Sequence, residues 1–370
     1  MPTRRADESR FMRRALQLAA RGRGYVEPNP LVGCVVVRRG RVIGEGYHER
    51  FGGPHAEVEA LRECGGRARG ATVYVTLEPC CFHGKTPPCT DALMAAGVGR
   101  VVAAMRDPNP RVAGRGLRLL RRAGIATEVG LLAAEAAALN APFAKLMKER
   151  RPWVILKWAQ SLDGKIATHT RDSKWITDET MRAHAHRTRG RVDGVIVGSG
   201  TVLADDPLLT CRVGRPRRVA TRIVLDTKLR TPAACRLVRT AGEIPTWVFC
   251  GLRAPWLRSR TLESAGCVVR RVPLAAGGSG LDLPAVLDVL AQAEMTNVLV
   301  EGGGALLGSF FDQQLADEAQ VYVAPRLIGG REAPGALQGR GIERVGESVL
   351  LREAQPRRLG AGWLWQGRLL

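Results

Sequence analysis

The sequence predicts an α/β protein of two domains, and three observations carry that reading. At 370 residues the chain exceeds one ordinary domain. In each half, short Val- and Ile-rich runs alternate with helical periodicity, which implies a sheet covered by helices. Several of those runs are apolar at nearly every position, as strands buried on both faces must be.

Residues 7–23 put Phe11, Ala15, Leu18 and Ala19 on one helical face behind an Asp7 or Ser9 cap. A turn-rich "GYVEPNPLVG" follows, then "GCVVVRRG" and "RVIGEGYH", two strands joined at Arg39-Gly40 as in a hairpin, and a helix "HAEVEALREC". Strand "ATVYVTL", helix "CTDALMAAG", strand "RVVAAMRD", helix "GLRLLRRAG" and strand "IATEVG" continue the alternation. "LLAAEAAALNAPFAKLMKERR" reads as one helical connection running up to Pro152, so the expected domains are 1–150 and 151–370. The second half offers strands "WVILKWAQ", "GVIVGSG", "TRIVLDT", "PTWVFC", "CVVRRVPL", "NVLVEGG" and "EAQVYVAPRLI", with helices "RAHAHRTRGR" and "LPAVLDVLAQAE". "LAAGGSGLDLP" reads as a surface loop, and His184 and His186 as exposed helix residues.

Composition bounds the function classes. Apolar residues make up 45% and charged residues 25%, which suits a globular protein, and no stretch reaches the roughly 20 apolar residues of a membrane span. The start of the chain pairs arginines with Asp7 and Glu8 and lacks a secretory core, so no export signal is read. Nine scattered cysteines, an odd number, suit a reducing cytoplasm and free or metal-bound thiols. A net charge of +21 raises nucleic acid as a partner. Only 7 of the 56 basic residues are Lys, and the arginines are spread along the chain. That pattern favours a solvated surface and a phosphorylated small substrate over a nucleic-acid stripe.

Two constellations carry chemistry. "GGPHAEVEAL" places His55 and Glu57 at a helix start, and "TLEPCCFHGKTPPC" supplies Cys80 and Cys89. One imidazole and two thiolates, with a fourth position left open, form the catalytic zinc arrangement, which lowers the pKa of bound water toward about 7. Helix N-termini favour the thiolates. Glu57, two residues beyond the histidine, can move a proton from that water to a leaving nitrogen. H-x-E with P-C is the signature of zinc deaminases. The intervening loop carries Lys85 and Thr86, which can hold a phosphate or a polar ring edge. Cys81 is adjacent to a ligand and therefore directed away from the site. In the second half, "VLVEGGGALLGSF" runs from a strand through "EGGG" into a helix, where backbone amides can approach a phosphate.

"NPLVGCVVV", "GEGYHERFGGPHAEVEAL", "TLEPCCFHGKTPPCTDAL" and "DPNPRVAGRGLRLLRRAGI" resemble the bacterial bifunctional riboflavin-biosynthesis deaminase-reductases, over nearly the whole chain. The resemblance implies a cytidine-deaminase-like three-layer α/β/α domain followed by a dihydrofolate-reductase-like α/β domain. It implies hydrolytic deamination of 2,5-diamino-6-(5-phosphoribosylamino)pyrimidin-4(3H)-one, then NADPH reduction of the ribosyl chain to ribityl. It implies Zn2+ on His55, Cys80 and Cys89, with Asn29, Lys85, Asp107 and Asn109 lining the deaminase pocket. For the reductase it implies cofactor contacts at Ala159, Trp175, Thr201, Asp205, Thr227, Gly303, Gly304, Ala305, Leu306, Leu307, Gly308 and Ser309. Lys157, Ser173, Arg189, Leu209, Arg212 and Glu301 would meet substrate, the arginines gripping a 5′-phosphate. Phosphorylated pyrimidines, no membrane and a homo-oligomer are the expected partners and state. Two departures stand out: Cys81-Phe82 replaces the family's usual Ser-His, with His83 one place later, and Thr227 stands where relatives carry Ser. The rival readings are a deaminase of nucleic-acid bases, a binding module on an inactive deaminase fold, and a chain with one active half.

Overall fold

A computed structural model describes residues 4–278 and 280–369, which fall into two units, Met1–Arg150 and Arg151–Leu370. In the first unit α1 (Arg4–Ala19) leads into β1 (Gly33–Arg38) and β2 (Arg41–Tyr47). Next come α2 (Ala56–Glu63), β3 (Thr72–Val75), α3 (Cys89–Ala95), β4 (Arg100–Ala103), α4 (Arg115–Arg122) and β5 (Ala126–Val129). Two short helices, α5 (Ala133–Leu139) and α6 (Ala141–Glu149), follow. The sheet order is β2-β1-β3-β4-β5, antiparallel at β2-β1-β3 and parallel from β3 to β5.

The two-residue period of the strands builds three layers. Cys34, Val36, Val73, Val75 and Val101 face α2, α3 and α4 through Ala56, Ala60, Leu93, Leu117 and Leu120. Their neighbours Val35, Val37, Tyr74 and Val102 face α1 through Phe11, Met12, Ala15 and Leu18. The hairpin turn falls at Arg39-Gly40, both at positive φ, with Arg38 opposite Arg41.

Two expectations are corrected. The first helix begins by Arg4, so Asp7 and Ser9 lie inside it and do not cap it. The stretch read as one helix before Pro152 breaks at Asn140. Pro142 enters α6 at its start, where its missing N–H costs nothing. The Asn140 side chain turns inward, accepting from the Leu31 amide at 2.8 Å and donating to the Leu31 carbonyl at 2.9 Å.

The second unit contains β6 (Trp153–Gln160), α7 (Glu179–Arg189), β7 (Gly194–Gly198), α8 (Ser199–Asp205), β8 (Thr221–Leu225) and α9 (Arg236–Arg239). It continues with β9 (Thr246–Gly251), α10 (Trp256–Ser264), β10 (Val268–Val272), α11 (Leu283–Gln292), β11 (Asn297–Val300), α12 (Gly304–Asp312) and β12 (Glu318–Val323). Strands β13 (Leu351–Arg352), β14 (Arg357–Leu359) and β15 (Gly362–Leu369) come last. The order β10-β9-β8-β7-β11-β6-β12 is parallel throughout, and β15 closes it antiparallel to β12, carrying β13 and β14. Val154, Leu156, Ile196, Ile223, Val298 and Val300 form the core with Val286, Leu290, Leu307 and Phe310 of the helices. The parallel strands therefore end together, with the turns after β7, β8, β9 and β11 along one rim, where open α/β sheets bind ligands. Among the described residues no helix is long and apolar enough to cross a membrane.

Candidate active sites

His55 N-caps α2, Cys89 is the first residue of α3, and Cys80 lies on the loop after β3. Cys80 is thus not at a helix start, as the sequence suggested. It leans on one from outside: its carbonyl accepts from the Thr90 amide at 3.2 Å, and its sulfur from the Cys89 amide at 3.3 Å. The helix N-terminal amide thereby meets a thiolate, the arrangement that stabilises negative sulfur.

His55 Nδ1 lies 3.2 Å from Cys89 Sγ and 3.5 Å from Cys80 Sγ, and the three ligand atoms fall within 4.8 Å of one another. A tetrahedral zinc with bonds of about 2.0 Å to nitrogen and 2.3 Å to sulfur sets the N-to-S edge at about 3.5 Å, so the residues fit the ion. His55 Nε2 is 3.3 Å from the Thr86 hydroxyl, which fixes the ring from behind. Thr86, expected beside substrate, is instead engaged with the histidine. The hydrogen bond from the Cys89 thiol holds the Cys80 sulfur well below the usual thiol range, and the same bond pushes Cys89 up.

Glu57 is 3% exposed. Burial first, then the Cys80 thiolate, lifts its carboxyl to about 6, and it shares a hydrogen bond with Cys89. A buried carboxyl whose proton affinity is raised toward neutral pH suits proton transfer between two partners. Cys81 is outside the ligand cluster, half-buried, with its thiol raised by burial. Phe82 lies under the Arg111 guanidinium at 4.7 Å, and His83 is exposed.

Around this centre the Asn29 amide lies 3.1 Å from His48 Nε2, while His48 Nδ1 lies 2.9 Å from the Pro54 carbonyl. Since a carbonyl only accepts, His48 carries its proton on Nδ1 and accepts from Asn29, and burial keeps the ring neutral. This leaves the Asn29 carbonyl oxygen and one N–H for a ligand. The Lys85 ammonium lies 3.7 Å from the centre of the Phe51 ring. Burial raises Asp107 to about 7, against the lowering pull of the Asn109 amide that it accepts at 2.8 Å.

The loop bearing Asp107 and Asn109 hangs from Glu78, which the motif reading passed over. Its carboxylate accepts from the amides of Gly114 at 2.8 Å, Leu117 at 3.2 Å and Asp107 at 3.3 Å. Gly116 allows that approach, since a Cβ there would lie 2.1 Å from the Pro79 carbonyl oxygen. The legible signal for Glu78 was an acid between apolar Leu77 and Pro79, and for His48 a histidine closing an alternating strand.

In the second unit Glu301, directly after β11, receives two bonds of 2.7 Å from Arg189 at the end of α7, with Lys157 of β6 at 3.7 Å. Burial alone would raise Glu301, but Arg189 and Lys157 outweigh it and hold the carboxyl at about 2. Burial lowers Lys157 against the opposing pull of Glu301. Arg189 therefore spends its fork on Glu301 and is not free to grip a phosphate. Arg212 is exposed, with His186 Nε2 3.4 Å from its guanidinium. His184 and His186 are not the exposed residues expected: His184 Nδ1 is 2.8 Å from the buried Tyr322 hydroxyl, and His186 Nδ1 is 2.9 Å from the Thr210 carbonyl.

A cleft of about 440 Å³ brings together Lys157, Ala159, Ser173, Thr201, Asp205 and the turn Gly303, Gly304, Ala305 and Leu306. Gly302, at φ +122°, passes so close to Thr201 that a Cβ would lie 2.7 Å from its hydroxyl. Leu307 faces the core, Gly308 packs on Gln338 and Gly339, and the Ser309 hydroxyl bonds back to the Ala305 carbonyl at 2.8 Å. Leu209 is buried, and Trp175 is 60% exposed with the Arg182 guanidinium 4.8 Å from its ring centre. Thr227 lines a separate cleft of about 530 Å³ with Lys228, Gly251 and Arg253.

The first unit is thus a three-layer domain with a zinc-deaminase centre, and the second a parallel-sheet domain with a glycine-lined cleft at its strand ends. Residues 5–105 match the family described as the cytidine and deoxycytidylate deaminase zinc-binding region, and residues 152–365 the RibD C-terminal domain. Riboflavin biosynthesis protein RibD of Escherichia coli strain K12 is 42% identical over 365 residues, covering 95% of this chain and 96% of that one. RibD of Actinobacillus pleuropneumoniae is 42% identical over 342 residues, covering 92% and 90%. The structure of Acinetobacter baumannii RibD, form 1, superposes with a TM-score of 0.86 at 35% identity, covering 99% of both chains. That of a Thermotoga maritima diaminohydroxyphosphoribosylaminopyrimidine deaminase/5-amino-6-(5-phosphoribosylamino)uracil reductase gives 0.84 at 35%, also covering 99% of both. The chain belongs to the RibD family of bifunctional riboflavin-biosynthesis enzymes.

Proposed function

We propose that the first unit removes the amino group of 2,5-diamino-6-(5-phosphoribosylamino)pyrimidin-4(3H)-one. The second then reduces the ribosyl chain of 5-amino-6-(5-phosphoribosylamino)uracil with NADPH. The observation that carries this reading is the triangle of His55, Cys80 and Cys89 with the buried Glu57 bonded to its edge. Zinc held by those three residues supplies activation of water. Glu57 takes the proton and returns it to the leaving nitrogen. Asn29, its amide set by His48, reads donor and acceptor edges of the pyrimidine, and Lys85, Asp107 and Asn109 complete the pocket.

In the second unit NADPH supplies the hydride. Lys157, Arg189 and Glu301 form a hydrogen-bonded floor that orients the sugar, and Arg212 carries the free charge for its phosphate. Ala159, Thr201, Asp205 and Gly303–Leu306 hold the nicotinamide half, with Thr227 further along the rim. Nine free cysteines support a reducing cytoplasm as the working compartment. A homo-oligomer is part of the same reading, and sedimentation velocity measures it.

The test supplies the diamino substrate with and without NADPH and follows ammonia release and reduced-nicotinamide absorbance separately. Glu57→Gln should lower ammonia release by about 10²- to 10⁴-fold and leave reduction of supplied aminouracil intact. Unchanged ammonia release removes Glu57 from its role. Full zinc occupancy in Cys89→Ser removes Cys89 from the ligand set.

A further inference from the structure

We propose that Arg171 is a phosphate clamp of the reductase cleft, binding the diphosphate of the reduced dinucleotide. The proposal rests on the reductase reading above. Arg171 lines the same cleft as Gly198, Gly200, Thr201 and the turn Gly302–Leu306. Of the charged residues lining that cleft, Lys157 faces Glu301 at 3.7 Å and Asp205 pairs with Lys174 at 3.2 Å. Arg171 has no acid partner among the described residues and is exposed. Among the described residues lining that cleft, it is therefore the cation without an acid partner, in a cleft that the glycine turn Gly302–Gly304 also lines. A guanidinium matches two phosphate oxygens at once, which a turn amide does not.

The backbone turn fixes where this residue sits. Arg171 sits at φ +70°, a conformation that β-carbon residues adopt rarely. A tight turn enforces it: the Thr168 amide bonds the Asp172 carbonyl at 2.9 Å, the Arg171 amide the Thr168 carbonyl at 3.0 Å, and the Asp172 amide the Thr168 hydroxyl at 3.1 Å. Glycine would serve the turn better, so the turn conformation itself does not call for arginine here.

Glycine takes φ +70° without cost, so the informative variant is Arg171→Gly in the full chain, with Arg171→Lys beside it. Nicotinamide fluorescence gives the NADPH Kd, and thermal melting reports the fold. Arg171→Gly should raise the Kd about 10- to 100-fold, the weight of one charge-assisted contact, with Tm unchanged or higher. Arg171→Lys should recover part of the loss. An unchanged NADPH Kd overturns the proposal. A raised KM for the phosphorylated pyrimidine at unchanged NADPH Kd also overturns it, by moving the contact to the substrate's phosphate. Failure of the parent chain itself to bind NADPH would sink the reductase reading instead.

Discussion

Replacing Glu78 with Gln keeps size and shape but removes the charge that organises the first pocket. The carboxylate takes two amides on Oε2, from Asp107 and Gly114, and one on Oε1, from Leu117. Glutamine has one accepting oxygen, so it best keeps the Asp107 and Gly114 bonds and turns its NH₂ toward Leu117. One buried amide is then left facing a donor, a cost of about 1–3 kcal/mol. The two surviving bonds lose their charge assistance, about 1 kcal/mol each. Glu78 is 2% exposed, so water cannot repair the defect, and the sum is about 3–5 kcal/mol. For a unit of 150 residues that is a fall in its melting transition of about 10 °C. Asp107 and Asn109 hang on the loosened loop, so ammonia release should fall about 100-fold while NADPH consumption on supplied aminouracil stays at the parental rate. Calorimetry and the two rates measured on one preparation decide it. A transition within 2 °C of the parent, with ammonia release within twofold, would refute the assignment of Glu78 as the loop's anchor; these limits are set from the roughly 3 °C per kcal/mol expected here.

Gly116→Ala would drive a methyl against the Pro79 carbonyl oxygen, displacing the strand-end loop that carries Cys80; zinc per chain by atomic absorption should drop and reduction persist. Glu301→Gln leaves Arg189 and Lys157 without a counter-charge and should destabilise the second unit by about 3–5 kcal/mol, read by denaturant unfolding. Glu301 is depressed to about 2 from an unfolded value of about 4.3. Its stabilisation is therefore present above about pH 4.3 and lost as pH falls through about 2, a slope that the variant should lack. His184 acts with the same sign in a higher pH window. Burial first, then Arg357, lowers it to about 4 from about 6.5, so the unfolded chain binds the extra proton between those values and stability declines as pH falls from 6.5 to 4. His184→Gln should flatten that window in pH-dependent melting curves.

The parts of this protein that the sequence exposed are those where chemistry and spacing coincide. His55, Glu57, Cys80 and Cys89 are few, reactive and set at loop-to-helix junctions, so their pattern survives without any knowledge of packing. Buried strands were equally plain, because β7 has no polar side chain and β11 is apolar after Asn297. What stayed hidden depends on partners remote in the chain. His184 looked like a surface residue because Tyr322 lies 138 positions away, and Arg189 looked free because Glu301 is 112 positions distant. Strand β15 alternates buried Gly362 and Leu364 with exposed Trp363 and Trp365, the signature of an antiparallel strand with one solvated face, outside the buried-strand pattern sought elsewhere. Leu307 and Gly308 show the complementary limit: a run of residues shares a motif, but a helix turns consecutive positions to different faces.

The histidine ring seated on Thr86 bears on which ion the first site accepts in a cell where several compete. The two nitrogen-to-sulfur distances, 3.2 and 3.5 Å, already stand near the edge lengths of a small tetrahedron, with the Thr86 hydroxyl behind the ring. Magnesium and calcium, which ask for six or more oxygens, find neither the donors nor the room. Among the softer divalent metals, shape and supply rather than raw affinity do the sorting, and a hydroxyl on the loop between the two cysteines helps set that shape.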